Sequence, residues 1–97
     1  MQVPKIIWSK QARSAVKSIY TYYKKKSLQG ANNVKKELLQ SPKSIRFAKQ
    51  YQVDEINSNY RRIVVRDYKV LYNEKKNVIR IIDVVGTKRT PEVLKNK

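Results

Sequence analysis

From Tyr60 to Val85 the chain reads YRRIVV–RD–YKVLYNEKKNVIRIIDVV, three apolar strands separated by two tight turns. Strands joined this closely pair antiparallel, because a parallel pair needs a crossover of about a dozen residues or more. The segment is therefore expected to form a three-strand antiparallel meander, with strands near 60–66, 68–74 and 77–85. Arg66-Asp67 supplies the first turn and Glu74–Asn77 the second. The last strand, VIRIIDVV, is apolar on both faces, which places it centrally in the sheet. In the first strand Ile63 and Val65 alternate with Arg62, Val64 and Arg66, so one face is expected to be cationic. In the second, Tyr68, Val70 and Tyr72 alternate with Lys69 and Leu71. Cations crowded on a small sheet repel one another unless something negative meets them. The sheet is accordingly the first place to look for function.

Upstream, residues 3–8 (VPKIIW) read as a short strand opened by Pro4, where a missing N–H does least harm. Ser9 has the character of an N-cap. Ala12, Ala15, Val16, Ile19, Tyr20 and Tyr23 then form a helical stripe that ends in Lys24, Lys25 and Lys26, cations suited to a helix C-terminus. A second helix is expected from Leu28 to Gln40, with Ala31, Val34 and Leu38 inward and Pro42 as its stop. So short a connection makes the two helices an antiparallel hairpin. Residues 42–59 are the least regular, and Ile45, Phe47, Tyr51, Val53 and Ile56 are expected to pin them to the core. Asp54 and Glu55, the one adjacent acidic pair, are expected to balance nearby Arg or Lys. The whole reads as one α+β domain over residues 1–97. It has an N-terminal strand, an antiparallel helical hairpin and a C-terminal three-strand meander, with the helices on one face of the sheet.

Charge bounds the partners. Lys and Arg number 23 against 7 acidic residues, a net +16 on 97 residues, which attracts polyanions. Nucleic acid, a ribosome, an anionic membrane or an acidic protein would answer. At 40% hydrophobic the chain can still build a core. No apolar run approaches the roughly 18 residues of a membrane span, so no membrane partner is expected. The opening MQVPKIIWSK lacks the apolar stretch of a secretory signal, and the absence of cysteine fits a cytoplasmic setting. Without His or Cys the common zinc sites and the thiol and Ser–His nucleophiles are excluded. Gly30 and Gly86 are the only glycines, too few for a phosphate cradle, and no metal or cofactor is expected. Catalysis would fall to Lys, Arg, Tyr, Asp or Glu.

Four segments carry a family resemblance: IIWSKQA with Ile19 and Tyr22, YQVDE ahead of Tyr60-Arg61, RDYKVLY, and IIDVVGTKRTPEVL. In this order and spacing, over about residues 5–94, the chain resembles the RelE/ParE superfamily of bacterial toxins. The resemblance implies a type II toxin held inactive by an acidic antitoxin that wraps the helices and sheet. One branch of the superfamily enters the ribosome and cuts mRNA; the other poisons DNA gyrase without a nuclease set. By position, Arg62 and Lys69 match basic sheet residues of the RNA-cutting branch, and Lys88 or Arg89 its basic residue after the last strand. Tyr60 falls where some members carry a lysine proposed as general base, and Leu94 where that branch often has Tyr. The long helical hairpin and the Thr90-Pro91-Glu92 tail resemble the ParE side, whereas the extreme charge leans toward RNA.

Cutting RNA needs a base for the 2′-hydroxyl, an acid for the leaving oxygen and cations for the phosphate. Arg62, Lys69, Lys88 and Arg89 are the candidate cations. Tyr60 or Tyr68 would be the base, and would need a strongly lowered pKa to serve. Arg62 and Lys69 are expected to lie as cross-strand neighbours and repel each other, so that their removal leaves the melting temperature unchanged. Three functions stand at this level: a ribosome-dependent mRNA endonuclease, a non-enzymatic gyrase inhibitor, and a small basic nucleic-acid-binding protein.

Overall fold

In the computed structural model, which describes residues 4–87, Ser9 sits between the first strand and the first helix. Its hydroxyl accepts the N–H of Ala12 at 3.0 Å and so starts helix α1 (Lys10–Lys24). The same hydroxyl donates to the carbonyl of Ile82 at 2.9 Å. That bond ties the end of strand β1 (Lys5–Trp8) to the C-terminal half of the chain. Ser27 caps helix α2 (Leu28–Gln40) in the same way, accepting from Gly30. Pro42 does not simply end this helix. It opens a single 3₁₀ turn, Ser41–Ser44, where its missing N–H leaves no bond unmade. A second short turn spans Ala48–Gln50.

The expected meander follows as β2 (Arg61–Val65), β3 (Tyr68–Lys75) and β4 (Val78–Gly86), with both pairings antiparallel. The second turn closes on Lys76 and Asn77 alone, both at positive φ, so the hairpin is two residues long and not the four expected. β4 is central as expected, because β1 docks on its free side in parallel and completes a sheet ordered β1-β4-β3-β2. Both helices lie on one face of that sheet. There Ala12, Val16, Val34 and Leu38 meet Ile63, Val70, Tyr72, Ile79, Ile81 and Val84. Each fully buried Val, Leu or Ile of this set contributes roughly 1.5–3 kcal/mol.

The loop before β2 departs from expectation. Ile45 is buried and Tyr51 packs against the core, but Phe47, Val53 and Ile56 are 56%, 42% and 67% exposed. Hydrogen bonds replace them as pins. Tyr72 Oη donates to the carbonyl of Ala48 at 2.8 Å, and Arg61 donates to that of Tyr51 at 2.8 Å. The remaining pin is a buried carboxylate.

Candidate functional site

Strand register fixes what the sheet face opposite the helices carries. Lys69 pairs across from Val64 and Val85, and Arg62 from Leu71, which pairs in turn with Asp83. Arg62 and Lys69 thus share this face on adjacent strands, one step off the direct pair, as the sequence leads one to expect. What the sequence did not reveal is the group between them. Asp54, 1% exposed, accepts from Lys69 Nζ at 2.7 Å and stands 3.9 Å from an Arg62 guanidinium nitrogen. Its other oxygen accepts the backbone N–H groups of Ile56 and Asn57. Burial pushes the Asp54 carboxyl up, but the hydrogen bonds from Lys69, Asn57 and Ile56 outweigh it and hold its pKa below the ordinary value. Asp54 therefore balances Arg and Lys as expected. The two cations are not the free, mutually repelling pair that the alternation implied. Lys69 itself is 8% exposed.

Arg66 also leaves the cationic face. It occupies the β2–β3 turn at φ 54° and reaches to α2, where it donates twice to Glu37, at 2.7 and 2.8 Å. These bonds lower the Glu37 pKa. The remaining sequence candidates scatter. Tyr60 lines a cleft with Ala48, Val53, Arg61 and Asn73, and no hydrogen bond or ion pair among the described residues links its side chain to Arg62 or Lys69. Tyr68 is turned toward the helices, against Tyr23 with ring centroids 6.5 Å apart. Burial and the Tyr23 hydroxyl push its pKa up to about 12, the opposite of what a general base requires. Lys88, Arg89 and Leu94 lie outside the described residues.

A second feature, absent from the sequence reading, is a groove of about 400 Å³ on the helical hairpin. Val16, Tyr20 and Leu39 make it apolar, and Arg13, Lys17 and Lys35 ring it. Lys35 Nζ stands 5.2 Å from the Tyr20 ring centroid. None of the three cations has an ion pair among the described residues. The signal was available: Arg13, Val16, Lys17 and Tyr20 recur at helical spacing, mixing cations with apolar groups on one stripe.

The fold matches that of a chain from the chromosomal ParDE toxin–antitoxin system of P. aeruginosa, with TM-score 0.76 at 13% identity, covering 89% of this chain and 98% of that one. The isolated RelE toxin of E. coli aligns with TM-score 0.49 at 16% identity over 97% of this chain and 95% of its own. No curated protein sequence matches at significance. A family model described as the ParE toxin of the type II toxin–antitoxin system parDE matches residues 6–91. The chain thus belongs to the ParE family of the RelE/ParE superfamily, the toxins of type II toxin–antitoxin systems.

Proposed function

We propose that this toxin stops growth by binding a protein, DNA gyrase, and not by cutting mRNA. The observation that carries this reading is the Asp54 clamp. A phosphate-gripping pair must be available to phosphate, and here Lys69 and Arg62 already face a buried carboxylate. The high pKa of Tyr68 points the same way, as does the match to the ParE family. On this reading no covalent chemistry is performed, and the toxin acts in the cytoplasm. The test is paired. The purified chain is added to gyrase with relaxed plasmid, and separately to translating ribosomes with a labelled mRNA. Loss of supercoiling with intact mRNA is expected; A-site mRNA cleavage without gyrase inhibition would overturn the proposal.

The partner in this reading is an acidic antitoxin, and the helical groove is its dock. The floor of Val16, Tyr20 and Leu39 suits an apolar stripe, and the rim of Arg13, Lys17 and Lys35 suits flanking carboxylates. A net +16 would speed the encounter.

A further inference from the structure

We propose that the loop between α2 and β2 is the surface by which the toxin grips its protein target, through exposed apolar side chains beside a small cleft and cations on the same loop. This rests on the reading that the target is a protein. Three observations place the surface here.

The first is exposure on a rigid frame. Phe47, Val53 and Ile56 stand 56%, 42% and 67% exposed within ten residues of chain. Their backbone is not loose. Gln50 Oε1 accepts from the N–H of Arg46 at 2.7 Å, and its amide donates back to the carbonyl of Ser44. The hydroxyls of Ser44 and Tyr51 meet at 2.6 Å, and Asp54 holds the far end. Apolar groups presented by a pinned backbone lose little freedom on binding, which is how a small patch yields useful affinity.

The second is the cleft beside them, about 260 Å³, walled by Ala48, Val53 and Tyr60. It falls below the roughly 300–1,000 Å³ of a small-molecule site and suits one anchoring side chain of a protein. Asn73 borders it, and its Oδ1 is the one buried side-chain polar atom among the described residues that has no hydrogen-bond partner. A partner N–H reaching this oxygen would relieve a group that is costly to leave unpaired.

The third is charge. Lys43, Arg46 and Lys49 are exposed on the same loop, which calls for an acidic partner surface. Their charge, with +16 overall, opposes a second copy of this chain as the occupant. RNA is disfavoured because Val53 and Ile56, two of the three exposed apolar side chains here, are aliphatic and offer a base no ring to stack on. The loop shares no lining residue with the helical groove, so target and antitoxin would use different surfaces.

The experiment measures binding of the folded toxin to purified DNA gyrase, to a single-stranded RNA 20-mer and to its antitoxin. Wild type is compared with Phe47→Ser/Ile56→Ser. Both side chains are exposed, so the variant should melt with the wild type. Losing two apolar contacts should weaken gyrase binding by a hundredfold or so, about tenfold for each, with antitoxin binding unchanged. Equal gyrase binding by variant and wild type overturns the inference and leaves the gyrase reading standing. Absence of gyrase binding by the wild type overturns that reading and the inference with it. RNA binding that the variant loses also overturns the inference, in favour of a nucleic-acid surface.

Discussion

Lys69 Nζ lies 2.7 Å from Asp54 Oδ1, with the two side chains 10% and 0% exposed. A buried pair of this kind contributes little relative to a well-packed apolar pair, but breaking it strands a charge. Lys69→Met should therefore lower the unfolding free energy by about 3–5 kcal/mol in urea titrations. A loss below about 1 kcal/mol would show that Asp54 is satisfied without Lys69. This reverses the expectation, drawn from strand alternation, that removing the sheet cations is harmless to stability.

The same carboxyl sets an acid limit. Its folded pKa lies below the ordinary value of 3.8, so folding is favoured by its ionised form. The sign follows from linkage: this stability is fully present above the unfolded pKa and is lost as pH falls through the folded one. Urea stability should decline on acidification below about pH 4. Asp54→Asn should start from a lower plateau and show a flatter acid limb. An equally steep limb in the variant would assign the acid loss to other carboxylates.

Tyr68 gives the alkaline counterpart. With its pKa pushed up to about 12, it should ionise well above the ordinary phenol value of 10 in an absorbance titration. Its neutral form is the one the fold favours, so its contribution is present below pH 10 and is lost above it. Tyr68→Phe should remove one tyrosine ionisation near pH 12 from the titration, while growth inhibition persists. Disappearance of toxicity with an intact fold would restore a chemical role for this phenol.

Tyr60→Phe tests the other phenol. If the toxin performs no acid–base step, the variant should arrest growth like the wild type. A drop of a hundredfold or more, within the range general catalysis supplies (~10²–10⁴), would favour the nuclease branch.

The helical groove makes a kinetic prediction. Lys17→Glu/Lys35→Glu should slow antitoxin association and reduce its dependence on salt, since steering charges act over a Debye length of about 8 Å at physiological ionic strength. A rate constant that stays at the wild-type value in low salt would move the antitoxin off this groove.

Where the sequence was informative, the information was local. Ser9, the lysines after Tyr23 and the apolar stripe of α1 are fixed by neighbours three or four residues away, and the hairpin of β2 and β3 by a two-residue turn. The central place of β4 was legible because both its faces are apolar, but its second neighbour was not: β1 pairs from 73 residues upstream (Lys5 with Val78), and no periodicity records that. Asp54 was legible as a charge-balancing residue, but not as the buried partner of Lys69 that also stands near Arg62. The one hint was an acid placed between Val53 and Ile56 in an otherwise basic chain. Phe47, Val53 and Ile56 were misassigned to the core because an irregular segment offers no period from which to tell inside from outside.

The bond from Ser9 to Ile82 spans 73 positions of sequence. At roughly 5–20 residues per second of synthesis, β1 waits about 4–15 s for its partner strand to exist. The helical hairpin has no such delay, since its contacts are local and form in microseconds once it is free of the ribosome. During translation the cell thus holds a chain whose two helices can fold before its sheet can close. An antitoxin that recognises those helices has a head start of seconds over the toxin it restrains.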